Sequence, residues 1–361
     1  MRIGLVGLPN SGKTTVFNAL TRGDIATTSY SSTTLDVHTA IVDIPDKRFN
    51  VIVELYAPKK VTPAKVEYSD IGGLRNDMEQ GVSISGEHLG LICTNDALIH
   101  VVRAFEDENI AHPLKTINPQ RDIERLDTEF LLSDLSKIEN RMVKLESNLK
   151  RGKVLPTYES DKEEFDILST IRHHLEANTP IRDLDLTEQE KKQLRGFQFL
   201  SSKPIMILLN LGDEDDFDVA NITYSHKHST IAKICGRLEM DIVNLNEEDM
   251  AMFMEEYNIT ELSLNRIIKQ SYLLLNQMTF FTVGRREVRA WEAPLNAMAA
   301  ICAGIIHSDM KRGFIRTEVF NYQDVLKAGS IKNARAQGKY HVEGKTYLVQ
   351  DGDILLIRFN V

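Results

Sequence analysis

The hydrophobic pattern of the first third of the chain is one of short apolar runs separated by turn residues. RIGLVG, HTAIVDI, AKVEYSDI and DALIHVVRAF are rich in leucine and β-branched residues, the texture of strands buried on both faces. Thr14 to Thr21 reads as a helix start behind the first of them. Apolar strands alternating with helices predict an α/β fold with a mostly parallel sheet. From about residue 121 the period changes. Leu131, Leu135, Ile138, Met142, Leu145 and Leu149 are spaced 4, 3, 4, 3, 4, a heptad seam with charges between. RGKVLPTYES interrupts it, and Phe165, Leu168, Ile171 and Leu175 then mark one face of a second helix. The pair predicts an antiparallel coiled-coil hairpin, followed by a capping box at Thr187 and Glu190. Strand texture returns at PIMILLNL, so the helical arm is inserted into the α/β domain. The expected organisation is 1–120 with 198–277 as one discontinuous domain, 121–197 as the arm, and 278–361 as a small α+β module. The alternating runs either side of Asp351-Gly352 predict a hairpin in that module.

Composition changes this picture little. A chain of 361 residues, 42% hydrophobic and 26% charged, is expected to form two or three globular domains. No run of eighteen apolar residues occurs, and no secretory leader is recognisable at the N-terminus. Cys93, Cys235 and Cys302 are widely separated, which fits a reducing compartment and neither a disulfide framework nor a zinc site. A cytoplasmic protein without membrane attachment is expected, with a monomer favoured. Charge is more telling. Residues 278–361 hold twelve Lys/Arg against eight Asp/Glu, in a chain whose net charge is −9. A basic module on an acidic body suggests an anionic partner there, ordinary variation in surface charge being the alternative.

The strongest chemical signal is GLVGLPNSGKTT. Gly7, Gly12, Lys13 and Thr14 satisfy G-x-x-x-x-G-K-[ST] between a strand and a helix. Such a loop cradles β- and γ-phosphates with backbone N–H groups, here over Asn10, Ser11, Gly12, Lys13, Thr14 and Thr15. Lys13 places a charge between the phosphates, and the Thr14 hydroxyl is the expected Mg²⁺ ligand. VEYSDIGG supplies the carboxylate that the metal needs, Asp70 at a strand end, with Gly73 in D-x-x-G spacing to meet the γ-phosphate. In STTLDVH, Thr34 is the candidate to complete the metal shell.

With these stretches, DALIHVVRAFEDENIAH, FFTVGRREVRAW, IIHSDMKRGFIRTEV and EGKTYLVQDGDILLIRFNV resemble the YchF branch of the translation-factor-like GTPases, the Obg-like ATPases. The resemblance runs over the whole chain. It implies a nucleotide-binding domain, an inserted coiled-coil arm, a C-terminal TGS-type domain, hydrolysis of ATP in preference to GTP, and association with ribosomes. The base-reading loop would be Asn210-Leu211-Gly212-Asp213, with Asn210 reading the base. It lacks the Lys of a guanine reader, yet Asp213 stands where the family usually has Glu, and Asp is the residue a guanine reader uses. A GTP-preferring enzyme therefore stays open. Cys235 and Gly236, followed by Arg237, fall where a second base-contacting loop should be. The residue after D-x-x-G is Leu74, which cannot orient water as the Gln of Ras-like enzymes does. The resemblance points instead to His112 as the catalytic histidine beside Lys13, while His88 in GVSISGEHLGL is a second candidate. A nucleotide-gated binding module with vestigial hydrolysis is the alternative. Lys311, Arg312, Arg316, Lys332, Arg335, Lys339 and Lys345, interleaved with Tyr322, Tyr340 and Tyr347, read as either a surface for RNA or the ribosome, its large subunit in particular, or a solvated face.

Overall fold

The computed structural model describes residues 1–21, 28–32, 35–72, 84–152, 156–212, 217–256, 259 and 261–360, so Thr34, Gly73, Leu74 and Asp213 lie outside the described residues. The chain divides into two units, Met1–Ala40 with Glu67–Ile267 and Ile41–Val66 with Ile268–Val361.

The elements up to the arm are β1 (Arg2–Val6), α1 (Lys13–Leu20), β2 (Thr28–Ser32), β3 (Leu35–Asp43), α2 (Lys47–Tyr56), β4 (Lys60–Thr62), β5 (Lys65–Ile71), α3 (Gly86–Cys93) and β6 (Ala97–Arg103). The arm comprises α4 (Pro119–Lys150), α5 (Tyr158–Glu176) and α6 (Glu188–Leu194). Then come β7 (Ile205–Asn210), β8 (Ser229–Ile234), α7 (Gly236–Val243), α8 (Glu247–Glu256) and α9 (Ser263–Leu274). The first sheet runs β2-β3-β5-β1-β6-β7-β8. β1 is parallel to β5 and β6, β6 to β7, and β7 to β8, while β2 and β3 are antiparallel. Every residue of β6 and β7 is buried, which is why their sequences run apolar without alternation. The parallel arrangement puts the carboxyl ends of β1, β5, β6 and β7 on one side, where ligands of open α/β sheets bind.

The arm interrupts the chain between the paired strands β6 and β7 and so is an insertion, as its texture suggested. Asn118 caps α4 by accepting from the Arg121 N–H at 3.1 Å, with Pro119 at the first helical position. Thirty-two residues make it about 48 Å long. Arg141 meets Glu164 through two bonds of 2.7 Å, and Asn148 meets Asp161 at 3.0 Å. Partners converge toward the connection, so α4 and α5 are antiparallel. Between them Ile138, Leu145, Leu168 and Ile171 are fully buried, each contributing about 2 kcal/mol. The capping box of α6 is formed as expected, by Thr187 and Glu190. The arm is joined to the sheet by Asp134, whose buried carboxylate accepts from the N–H groups of Leu200 and Ser201 and from the Ser201 hydroxyl.

The second unit holds β9 (Gln277–Val283), β10 (Glu287–Pro294), α10 (Ala299–Ile306), α11 (Ser308–Arg312), β11 (Phe314–Phe320), α12 (Tyr322–Ala328), α13 (Ile331–Ala336), β12 (His341–Glu343) and β13 (Ile354–Phe359). Its sheet runs β12-β11-β13-β9-β10-β4, so it is an α+β unit. Two expectations fare differently here. Residues 41–66, expected in the nucleotide-binding domain, contribute α2 and β4 to this unit instead. β4 pairs with β10, and Arg48 bonds Asp351 at 2.7 Å. The residues flanking Asp351-Gly352 do not form the expected hairpin, because β12 and β13 each pair with β11. Asp351 is held by Arg48 and by the Thr279 N–H at 2.9 Å, and Gly352, at φ 89°, turns the chain into β13.

His100, midway along β6, breaks the apolar run. It is wholly buried, and neither ring nitrogen has a hydrogen-bond partner among the described residues. Burial, reinforced by the charge of Lys13, pushes its pKa down to about 3. The unfolded chain therefore binds a proton that the fold refuses, so stability is complete above pH 6.5 and is lost as pH falls toward 3. His100→Leu should flatten the fall in unfolding free energy between about pH 6 and 4.5 by roughly 1.4 kcal/mol per pH unit in urea titrations. Parallel profiles for the two proteins would contradict this assignment.

Candidate functional site

β1 delivers the chain at Val6 into a loop that returns as α1. Gly7 (φ 149°) and Gly12 (φ 89°) hold backbone angles unfavourable to a side chain. A Cβ on Gly7 would lie 2.3 Å from the Val101 carbonyl oxygen, and one on Gly12 only 2.2 Å from Asn210 Nδ2. The Lys13 ammonium donates to the carbonyls of Gly7 (2.9 Å) and Leu8 (3.0 Å), which fixes it across the loop mouth. The loop and the N-terminus of α1 open onto a cavity of about 560 Å³ lined by Asn10, Gly12, Lys13, Thr14, Thr15 and Asp70, among others. Ser11 is buried at 1% exposure, and its carbonyl accepts from Asn210 Nδ2 at 3.0 Å.

Asp70, next to last in β5, lines this cavity. Its Oδ2 accepts from the Thr14 hydroxyl at 3.0 Å, while its buried Oδ1 has no partner among the described residues. Burial raises its pKa, and the Thr14 bond and the charge of Lys13 oppose the rise. A buried carboxylate oxygen without a donor costs energy unless a cation meets it. Two hard oxygens, Thr14 Oγ1 and Asp70 Oδ1, on the floor of a phosphate loop fit Mg²⁺.

The cavity is also lined by Phe105, Leu211, Met240 and Arg237. Asn210 is a further lining residue, 4% exposed. Its Nδ2 donates to the Ser11 carbonyl and its Oδ1 accepts from the Gly236 N–H, each at 3.0 Å. Much of its hydrogen-bonding capacity is thus spent inside the protein, making it a strut between the phosphate loop and the start of α7 as well as a lining residue. Gly236 acts through this bond, and a Cβ there would come within 3.0 Å of Asn210 Oδ1. Cys235 is the N-cap residue of α7 and does not line the cavity.

The segment after β6 roofs the site. Arg103, 3% exposed, donates to the carbonyls of Phe105 (3.1 Å), Ile110 (2.9 Å) and Asp107 (3.3 Å), and its guanidinium lies 4.5 Å from the Phe105 ring centroid. Asn10 Nδ2 reaches from the phosphate loop to the Ala111 carbonyl at 3.0 Å. His112, expected to be catalytic, does not line the cavity in this structure, and its ring is buried. Nδ1 accepts from the Leu114 N–H at 3.1 Å, so Nε2 carries the proton that it donates to Asp122 at 3.0 Å. Burial lowers its pKa despite Asp122, keeping the ring neutral. His88 is likewise structural, bridging Ser85 Oγ (2.7 Å) and the Gly72 carbonyl (3.2 Å). Sequence reasoning missed Arg103 and Phe105. The available signal was a cation closing an otherwise apolar strand, followed at once by an aromatic.

This loop, carboxylate and sheet define a P-loop nucleotide-binding protein. Comparison with known proteins narrows the class. Residues 2–137 match the family described as 50S ribosome-binding GTPase, and residues 277–360 match YchF-GTPase_C, described as a protein of unknown function. The ribosome-binding ATPase YchF of Bacillus subtilis is 39% identical over 99% of both chains. That of Pasteurella multocida is 38% identical over all of this chain and 99% of its own. The solved Schizosaccharomyces pombe YchF GTPase superimposes with a TM-score of 0.84 at 29% identity, covering 99% of this chain and 97% of its own. The chain belongs to the YchF family.

The strut can be tested directly. Asn210→Ala leaves the Ser11 carbonyl and Gly236 N–H unpaired and should cost about 2–4 kcal/mol in urea unfolding, with nucleotide affinity falling at least about tenfold. Stability and affinity both at the wild-type level would contradict the role.

Proposed function

We propose that the chain is a Mg²⁺-dependent nucleotide hydrolase that turns over ATP in preference to GTP and serves as a nucleotide-controlled switch on the ribosome. The observation that carries it is the unpartnered Asp70 carboxylate oxygen beside Thr14 on the floor of the Lys13 loop. The relatives' names, ribosome-binding ATPase, support the substrate and the partner. In this reading the N–H groups from Asn10 to Thr15 and the Lys13 ammonium receive the β- and γ-phosphates. Thr14 and Asp70 hold Mg²⁺, which would draw charge from the phosphate oxygens as the bond breaks. Thr34 and Gly73 complete the γ-phosphate surroundings, and Asp213 the base loop. ATP is favoured because Leu211 stands in the place of the guanine reader's Lys, and Phe105 and Met240 offer apolar area to any purine. RNA, in the large ribosomal subunit in particular, is the docking partner. As a partner of the ribosome, the protein works in the cytoplasm.

His112 reaches a water at the γ-phosphate only by leaving both Asp122 and Leu114, so release of this ring is a step of the cycle. A neutral imidazole so released can orient or accept from that water. Lys13→Ala should abolish turnover and nucleotide binding together. His112→Ala should lower kcat at least about tenfold while ATP affinity holds, since His112 is not among the residues that line the cavity. Unchanged kcat in His112→Ala would reduce the residue to a structural one. Displacement of a labelled ATP analogue by GTP at lower concentration than by ATP would overturn the base preference.

A further inference from the structure

The cations that sequence singled out in the C-terminal module are partly consumed at home. Arg312 is paired with Asp309 and Arg335 with Glu318, while Tyr340 stacks on Phe320 and Tyr347 donates to Asp353. A different group is assembled at the opposite edge of the same sheet. The Lys59 N–H donates to the Arg285 carbonyl and the Lys60 N–H to that of Arg286. These bonds lay the entrance of the edge strand β4 against the β9–β10 turn. They gather four exposed cations from segments more than two hundred residues apart in sequence. Glu287 neutralises Lys60 at 2.9 Å, but among the described residues no carboxylate pairs with Lys59, Arg285 or Arg286.

Along β10 from this cluster, the Arg289 guanidinium lies 3.7 Å from the centroid of the half-buried Trp291 ring. The indole N–H is already satisfied by Thr282 Oγ1 at 2.9 Å, and the ring lies parallel to Phe280 at 6.4 Å against the core, so what the pair offers a partner is the stacked guanidinium plane with the part of the ring left exposed. An edge strand carrying lysines can simply guard against strand addition. That function does not call for arginines on the neighbouring turn or a stacked Arg–Trp pair. Clustered cations beside an aromatic platform are what single-stranded nucleic acid takes, with phosphates on the cations and bases on the ring and guanidinium planes.

We propose that Lys59, Arg285 and Arg286 form a docking surface for the phosphodiester backbone of single-stranded RNA, with a base stacking on the Arg289–Trp291 pair. This deepens the ribosomal reading above and rests on it. The partner is chosen over an acidic protein because stacked ring surface complements bases, whereas a run of carboxylates would use the cations alone.

Trp291 is the only tryptophan of the chain and reports on the contact itself. The experiment titrates full-length protein with a short oligo(U), reading Trp fluorescence and the anisotropy of labelled RNA across a salt series. The wild type should show quenching together with salt-dependent binding. The triple variant Lys59→Ser/Arg285→Ser/Arg286→Ser should lose quenching and at least about tenfold in affinity. Its slope of log affinity against log salt should be shallower by about 2, three phosphate contacts at roughly 0.7 each. Nucleotide affinity, unchanged in the variant, verifies the fold. Equal RNA affinity and quenching in the two proteins would overturn the surface, as would binding of polyglutamate in preference to oligo(U). Failure of the wild type to co-sediment with ribosomes at low salt would instead bring down the ribosomal reading.

Discussion

The Asn210 carboxamide is the contact on which the nucleotide site depends. It spans from the Ser11 carbonyl in the phosphate loop to the Gly236 N–H at the head of α7, and it is buried while doing so. The phosphate-loop sequence and the start of α7 are thereby held at one separation. The close fit imposes glycine at both neighbours, because a methyl group on Gly12 or Gly236 would press against that same side chain. Hydrogen bonds of this kind contribute modestly when made and cost far more when one partner is left buried alone. The geometry is therefore stiff against small displacements, which is what positioning a triphosphate requires.

Around this strut the remaining polar groups fall into two kinds. Arg103, Asn10, His88 and His112 spend their hydrogen bonds on backbone or neighbouring side chains and shape the roof and walls. Asp70 does not. One of its oxygens is bonded to Thr14, the other is buried without a donor among the described residues, and burial raises its pKa. The fold tolerates this cost at the point where a divalent cation would relieve it. Lys13, by contrast, is kept in place by two carbonyls that phosphate oxygens can replace as partners.

What sequence could supply was what local chemistry controls. The Gly7–Thr14 spacing, the apolar β6 and β7, the heptad of α4 and the capping box at Thr187 depend on residues a few positions apart, and all were legible. The destination of residues 41–66 was not. β4 is three residues long, and its membership follows from pairing with β10 and from Arg48 meeting Asp351, contacts more than two hundred residues distant in sequence. His112 shows the same limit within the site. A histidine in a loop beside a phosphate motif reads as catalytic, but its bond to Asp122, in the first turn of α4, was not legible. Arg103 was overlooked because a cation at a strand end looks solvent-bound, whereas here three carbonyls of the following loop enclose it.

The central claim is that Asp70 and Thr14 form the metal-holding floor of a triphosphate site. The most direct test is ATP affinity measured calorimetrically with Mg²⁺ and with EDTA, for the wild type and for Asp70→Asn. The account predicts that wild-type affinity falls at least about tenfold on chelation, while Asp70→Asn binds weakly and is nearly indifferent to Mg²⁺. Wild-type affinity unchanged by EDTA, or an undiminished Mg²⁺ effect in Asp70→Asn, would contradict it.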